Sequence, residues 1–462
     1  MNKPPRNAQP CDSVLDAIGW TPLIRLNRVT GGARTPVFAK AEFLNPGGSV
    51  KDRIGLAMIE AAERDGRLRP GGVVVEGTSG NTGVGLAIAA ALKGYRCIFT
   101  MPDKMSQEKV RLLKAFGAEV VITPTAVPPD HPDNYVETAK RIVRSTPGAI
   151  LADQFYNQVN PKAHYATTGP ELWEQTGGRI THLVASAGTG GTISGTGTFL
   201  KEKNPRVRVV AGDPQGSIFA HYFRTGEKGP DAPYQVEGIG NDKLPETLWF
   251  DVIDEFHSIG DTDAFRMARR LTREEGLFVG GSAGLVVHLA VQLAQSLDDP
   301  EALIVAVLPD TGERYLSKLY NDEWMREHRL LEPERMTARS MLEGKETDIQ
   351  PLIVVEPEQT GREALDLITG HGISQLPVFQ DGRSVGAIAE ETLMAQIIQD
   401  PHVLDRPLAE LMGEPLPVIG SDARMDDVAR LLTRQTPAVL VSHEGAVTGI
   451  ITRYDMVRQL SR

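Results

Sequence analysis

Between about residues 70 and 310, short β-rich runs alternate with helical patterns, and the joints between them are rich in glycine. The strand-like runs are "GVVVEG", "RCIFTM", "EVVITP", "HLVASAG", "VRVVAG" and "LIVAVLPD", separated by helical stretches such as "GVGLAIAAALKGY", "QEKVRLLKAFGA" and "DAFRMARRLTREEG". Antiparallel strands can be joined by a tight hairpin, whereas strands separated by a helix return in the same direction. The alternation therefore predicts an α/β fold with twisted, parallel-rich sheets covered on both faces. In such folds ligands sit beyond the carboxyl ends of the strands, where glycine turns lead into helix N-termini.

At 462 residues the chain exceeds what one hydrophobic core organises, so at least two domains are expected. The pattern changes after "YNDEWMREHRLL", where the charged segment "EPERMTARSMLEGKETD" reads as a linker or an exposed helix. The tail holds two loosely similar units, from "PLIVVEPEQTGREALDLITGHG" and from "PLPVIGSDARMDDVARLLTRQT" onward. Each runs strand, amphipathic helix, strand, turn, strand, helix, an internal repeat of roughly sixty residues. The expected division is a core at 1–330, a linker at 331–345, and repeats at 346–400 and 401–462. The two repeats should bury their apolar faces together as a pseudo-symmetric pair.

A formal charge of −11 without any lysine- or arginine-rich block excludes an electrostatic footprint for nucleic acid, although a small anion held locally is compatible with it. No apolar run approaches the roughly 20 residues needed to span a bilayer. The N-terminal "MNKPPRNAQPCDS" has neither a signal-peptide core nor an amphipathic transit pattern, so the expected location is the cytoplasm. Cys11 and Cys97 are far apart, which excludes a CxxC redox pair, a zinc spacing and a disulfide framework. The histidines begin at His131 and never pair at metal-binding spacing, so no metal is expected.

Four local motifs carry chemistry. In "FLNPGGSVKDR", Lys51 follows two glycines that let backbone approach a ligand closely, and lysine is the side chain that shifts its pKa on burial and forms Schiff bases. Alone, it reads equally as half of a surface ion pair. In "EGTSGNTGVGLAIAAA", a strand runs into an apolar helix whose N-terminal amides, with Thr78, Ser79, Asn81 and Thr82, form donors suited to a carboxylate. Alone, that is also an ordinary capped turn. In "SAGTGGTISGTG", Gly188, Gly190 and Gly191 leave room for a phosphate, and the Thr189 and Thr192 hydroxyls add hydrogen bonds. The motif is neither GxGxxG nor a P-loop. In "VGGSAGLVVHLA", Ser282 precedes an apolar helix, which by itself is most simply a helix cap.

A lysine, a carboxylate site, a phosphate site and one hydroxyl are together what pyridoxal phosphate requires: a Schiff-base amine, a phosphate cradle and a partner for its ring nitrogen. With "KAEFLNPGGSVKDRI", "EGTSGNTG", "DQFYNQVNPKAHY", "GTGGT", "DPQGS", "VEGIG" and "GGSAG" between about residues 10 and 330, the chain resembles the cystathionine β-synthase and cysteine synthase group of pyridoxal-phosphate enzymes. The tail resembles the tandem CBS-domain (Bateman) pair that follows the core in many cystathionine β-synthases, which favours that branch. The resemblance implies a two-subdomain fold type II core. It makes Lys51 the Schiff-base lysine and acid/base, Asn81 the partner of the cofactor's phenolic oxygen, Gly188, Thr189, Gly190, Gly191 and Thr192 the phosphate loop, and Ser282 the neighbour of the pyridine nitrogen. The substrate α-carboxylate would lie against Thr78, Ser79, Thr82 and Gln154, with Tyr165 and Gly238 lining the mouth. A serine hydroxyl cannot stabilise a protonated pyridinium as a carboxylate does, so the ring is a weaker electron sink. That biases the chemistry toward loss of a β-leaving group and away from transamination. The implied reaction condenses serine with homocysteine to cystathionine, in a homodimer.

The chain also departs from the family. Animal cystathionine β-synthases hold haem on an N-terminal extension through a cysteine and a histidine. Here fifty residues precede Lys51 and none is histidine, so haem is not expected. Asn241 follows "VEGIG" where vertebrate members have tyrosine, and is expected to bear on the second substrate. CBS-domain adenosine sites end in Thr/Ser, two residues, then Asp. The second repeat keeps this as Thr452 and Asp455, while the first has Ala389 and Thr392. One site for S-adenosylmethionine or an adenine nucleotide is therefore expected, although Asp455 also reads as a helix cap. Competing readings are a cysteine synthase, an O-acetylserine-dependent cystathionine synthase and, outside enzymes, an adenosine-ligand sensor.

Overall fold

The computed structural model describes residues 10–460 except 79, 104, 106, 126, 129–130, 332–336 and 344–351. Two compact units divide the chain, Met1–Leu331 and Glu332–Arg462. Among the described residues no helix is long and apolar enough to cross a membrane.

The first unit contains strands β1 (Leu23–Arg25), β2 (Val37–Ala41), β3 (Val73–Gly77), β4 (Arg96–Pro102), β5 (Glu119–Thr123), β6 (Ala149–Leu151), β7 (His182–Ser186), β8 (Arg208–Pro214), β9 (Glu255–Ile259) and β10 (Ile304–Leu308). A six-stranded sheet has the order β1-β2-β10-β7-β8-β9, parallel throughout except for the β1–β2 pair. A four-stranded parallel sheet has the order β5-β4-β3-β6. Strands covered on both faces read as continuous apolar runs. Accordingly β10, "IVAVL", is buried at every residue, and so is β3, "VVVEG", including Glu76.

The helices Lys51–Arg64 and Asn81–Lys93 cross at a glycine–glycine contact. A Cβ on Gly55 would lie 2.3 Å from the Gly85 carbonyl carbon, and one on Gly85 would lie 2.4 Å from the Lys51 carbonyl oxygen. Only glycine permits that approach, which brings the helix N-termini carrying Lys51 and Asn81 together. Behind Lys51 lies a buried ionic cluster. Arg53 Nε donates to Glu42 Oε2 (2.7 Å), Arg53 Nη1 to Glu171 Oε1 (2.6 Å), and Lys40 Nζ to Glu171 Oε2 (2.7 Å).

The second unit contains β11 (Gln375–Gln380), β12 (Arg383–Ala389), β13 (Val418–Gly420), β14 (Ala438–His443) and β15 (Ala446–Thr452). The repeat read from sequence is visible in the register. Hairpins β11–β12 and β14–β15 each carry an irregularity between the fourth and fifth residues of the first strand, at Val378/Phe379 and Val441/Ser442. Each turns on two residues with positive φ, Asp381–Gly382 and Glu444–Gly445, the backbone of a type I′ turn. Each hairpin also takes a parallel partner, Val355 against Val378 and β13 against β14. Leu416, Ala438 and Leu440 of one repeat pack with Leu352, Phe379 and Ala387 of the other. Of the segment expected as linker or exposed helix, Ala338–Glu343 is a helix whose Ala338 and Met341 are buried against Val428, Val441 and Ile451.

Candidate active site

The carboxyl ends of β7 and β10 and the N-termini of the helices at Lys51 and Asn81 line one cleft in the first unit. Lys51, Asn81, Gly188, Thr189, Gly190, Thr192, Gly238 and Ser282, predicted from separate motifs, all line it. Burial lowers the Lys51 amine to about 8, against the opposing pull of the Asp310 carboxylate. At about 8 roughly a tenth of the amine is unprotonated at pH 7, far more than for an ordinary lysine, as a nucleophile or base requires.

The loop after β7 is shaped by close contacts. Gly190 has φ 85°, and a Cβ there would lie 2.4 Å from Leu248 Cβ. A Cβ on Gly188 would lie 2.5 Å from the Gly238 carbonyl oxygen, and one on Gly191, which begins the helix Gly191–Lys203, would lie 1.9 Å from Asn160 Oδ1. Thr189 and Thr192 are held from behind. Asn160 Nδ2 donates to Thr189 Oγ1 (2.9 Å), Thr247 Oγ1 donates to the Thr189 carbonyl (2.6 Å), and His164 Nε2 lies 3.2 Å from Thr192 Oγ1. Burial, reinforced by the Arg53 charge, pushes His164 down to about 3, so it is neutral.

Of the residues expected to meet a carboxylate, Thr82 Oγ1 donates to Gln154 Oε1 (2.6 Å) and Thr78 Oγ1 accepts from Gly80 N (3.1 Å); all three side chains are buried and, like Tyr165, none is among the residues lining the cleft. Ser79 lies outside the described residues. The turn carrying Gln154 is held by Glu76, which accepts from Asp153 N (2.7 Å) and Gln154 N (3.4 Å). Burial raises the Glu76 carboxyl to about 8.

Other residues read from the sequence make the following contacts. Tyr165 is absent from the cleft lining: its hydroxyl donates to Glu202 (2.6 Å) and its ring packs edge-on to Phe199. Asn241 caps its own turn, accepting at Oδ1 from Asp242 N (2.9 Å) and Lys243 N (3.3 Å). In the tail, Asp455 Oδ2 accepts from Thr452 N (2.7 Å) and Thr452 Oγ1 (2.8 Å), the geometry of a helix cap. Ala389 makes no such side-chain cap.

Other residues were not singled out from sequence. Asp310 lines the cleft and accepts at Oδ2 from Asn81 Nδ2 (2.8 Å) and Tyr315 OH (2.6 Å). Arg314 donates to Asn81 Oδ1 and to the Gly47 carbonyl. Glu237 at the rim accepts from Lys109 and, at 2.6 Å, from Lys318. Burial alone would raise its carboxyl, and the two lysines bring it below the usual range. The signal for Asp310 was the end of the strand-like run "LIVAVLPD", where this fold class puts ligands.

The donor set fits a phosphate-bearing aldehyde cofactor: an amine, an amide N–H, a hydroxyl, and two threonines at a helix N-terminus whose first-turn amides lack intrahelical partners. The family model described as pyridoxal-phosphate dependent enzyme matches residues 14–310, and the CBS domain model matches 347–398 and 408–462. The chain is 43% identical to cystathionine beta-synthase of Oryctolagus cuniculus over 83% of its own length and 71% of the relative's. It is 36% identical to that of Dictyostelium discoideum over 98% and 92%. Among solved structures it is similar to O-ureido-L-serine synthase, with TM-score 0.63 and 38% identity over 69% of this chain and 100% of that one. It is also similar to the O-acetylserine dependent cystathionine beta-synthase from Helicobacter pylori, with TM-score 0.62 and 35% identity over 67% and 98%. A lysine, a glycine–threonine loop at a helix N-terminus and a serine hydroxyl on one cleft, followed by two CBS repeats, agree with these likenesses: the chain belongs to the pyridoxal-phosphate-dependent enzymes and, within them, to the cystathionine β-synthase family.

Proposed function

We propose that the protein condenses L-serine with L-homocysteine by β-replacement, giving L-cystathionine and water. The observation that carries this is the convergence of Lys51, Asn81 and the Ser282 hydroxyl on one cleft. Pyridoxal phosphate, when bound, supplies the sink for electrons released at the substrate Cα. Lys51, freed by the incoming amino group, takes the Cα proton. As an ammonium it gives that proton to the departing β-hydroxyl, which leaves as water; it then takes the thiol's proton as the sulfur adds to the β carbon and delivers that proton to Cα. Thr78, Ser79, Thr82 and Gln154 hold the α-carboxylate, and Glu76 holds the backbone of the Gln154 turn. Gly188, Thr189, Gly190, Gly191 and Thr192 hold the cofactor phosphate, Asn81 its phenolic oxygen and Ser282 its pyridine nitrogen. Gly238 lines the mouth, and the Glu237 rim with its two lysines keeps that mouth polar.

The test is mass-spectrometric product identification with homocysteine as thiol and serine or O-acetylserine as donor. Cystathionine from serine supports the proposal, whereas product from O-acetylserine alone favours the second reading. That second reading, an O-acetylserine-dependent enzyme, is supported by the Helicobacter pylori neighbour. Lys51→Ala should abolish turnover while the fold survives, and retained turnover refutes its role.

For the tail, residues 346–400 and 401–462 are taken as two CBS domains after a core at 1–330 and a connecting segment at 331–345. One S-adenosylmethionine or adenine-nucleotide site is proposed near Thr452 and Asp455. Calorimetry with both ligands tests it, and no heat from either removes it. A cytoplasmic homodimer completes the reading.

A further inference from the structure

The segment after β10 touches three parts of the cleft at once. Val50 N donates to the Pro309 carbonyl (2.8 Å) and Thr311 N to the Gly48 carbonyl (3.1 Å), so the turn before Lys51 is zipped to residues 309–311. Gly280 N donates to the Asp310 carbonyl (3.1 Å) and Gly312 N to the Phe278 carbonyl (3.1 Å), which ties in the turn before Ser282. The third part is Asn81, whose amide lies between Asp310 and Arg314.

We propose that Asp310 and Arg314 are positioning residues that act as a clamp. They fix the Asn81 amide in the one orientation that presents an N–H to the cleft, and they couple that amide to the turn carrying Lys51. The proposal rests on the reading that Asn81 meets the cofactor's phenolic oxygen. Its warrant is the one-way chemistry of the two partners. A guanidinium only donates and an ionised carboxylate only accepts, so Arg314 selects Asn81 Oδ1 and Asp310 selects Nδ2. A flipped amide would set N–H against guanidinium and oxygen against carboxylate, leaving both buried or half-buried contacts repulsive.

Asn81 lines the cleft, and with one Nδ2 hydrogen spent on Asp310 the second is left to serve an acceptor such as a phenolate oxygen. Asp310 is itself oriented. It is buried, Tyr315 OH donates to its Oδ2 (2.6 Å), and a Cβ on Gly280 would lie 2.2 Å from its Oδ1. Its Oδ1 has no hydrogen-bond partner, so the Oδ2 contacts alone hold the carboxylate. Arg314 carries the coupling, because its second amino group donates to the Gly47 carbonyl in the lysine turn.

The experiment reads the absorption spectrum and melting temperature of holoenzymes of wild type, Asn81→Ala, Asp310→Asn, Arg314→Met and the double swap Asn81→Asp with Asp310→Asn. A donor to the phenolic oxygen favours the visible-absorbing form of the bound cofactor over the near-ultraviolet one. Asp310→Asn and Arg314→Met should each lower the visible to near-ultraviolet ratio by about tenfold, the scale of one hydrogen bond to a charged group. The double swap restores a donor–acceptor pair between positions 81 and 310, so it should recover melting temperature but not the ratio. A purely structural role for Asp310 and Arg314 would lower the melting temperature of their single variants and leave their ratios at the wild-type value. A changed ratio in Asn81→Ala with wild-type ratios in Asp310→Asn and Arg314→Met overturns the clamp alone. A wild-type ratio in Asn81→Ala overturns the reading of Asn81 and the clamp with it. If Asp310→Asn does not fold, half-buried Arg314 still decides the matter.

Discussion

At the scale of single residues, burial sets the protonation of the groups around the cleft. Glu76 is raised to about 8 by desolvation, with the neighbouring Asp153 carboxylate adding to it against two backbone donors. A carboxyl raised in the folded state contributes stability below its unfolded value, and that contribution is lost as pH climbs toward the folded value. Glu76 should therefore make melting temperature fall between the ordinary carboxyl range and about pH 8, and Glu76→Gln should flatten that slope; a melting series from about pH 5 to about pH 9 checks it. His164 shows burial acting in the opposite direction on a base. Being neutral, it can donate from Nε2 to Thr192 only if Nδ1 accepts from the Thr168 hydroxyl, 2.8 Å away. That leaves the Thr192 hydrogen free for a phosphate. His164→Phe should weaken cofactor retention by about tenfold, measured by dialysis and absorbance, with the fold kept. His164 sits in the quoted "NPKAHY", yet its partner Thr192 is 28 residues away, so the motif could be seen without its purpose.

At the scale of elements, the site depends on how closely two helices approach. The Gly55–Gly85 crossing joins the helices that begin at Lys51 and Asn81, and the Lys51 carbonyl itself abuts Gly85. Gly85→Ala should cost about 1–3 kcal/mol as overpacking, and it should lower cofactor occupancy more than a distant substitution of equal cost. Parallel melting and absorbance measurements separate the two effects. The ionic cluster is the second such device. Arg53, two residues beyond Lys51, is buried between Glu42 and Glu171, and removing it leaves Glu42 without a direct cationic partner and Glu171 with Lys40 alone. Arg53→Met should destabilise the core by about 3–5 kcal/mol in denaturant unfolding. The strands, glycine turns and helix starts were legible because each is announced by a local period or a local backbone demand. The crossing was not, because "RIGLA" and "GVGLA" each carry glycines whose reason lies in the other helix.

At the scale of the whole molecule, each unit has its own apolar clusters. Those of the first run from Leu26 to Leu330 and include β10 and its flanking helices, and those of the second begin at Ala338. A chain ending after Leu331 should therefore fold and hold the cofactor with the full-length absorption spectrum; circular dichroism and absorbance test this, and an unfolded product would reject it. The repeat in the tail was readable because the two hairpins keep the same length, turn and irregularity. By itself the sequence determined the α/β class, the repeated tail, and the cofactor-type motifs at Lys51, Asn81, Gly188 to Thr192 and Ser282. These rest on nearest-neighbour rules: strand and helix periods, glycine where backbone must come close, and hydroxyl or amide groups at helix starts. Only the tertiary structure decided what surrounds each group. Asn81 is oriented by residues more than two hundred positions away, Thr192 is backed by His164, Tyr165 turns to Glu202, Asn241 accepts within its own turn, and Lys51 is lowered by burial. Desolvation and hydrogen-bond direction depend on which distant atoms close around a group, and no local period in the chain encodes that.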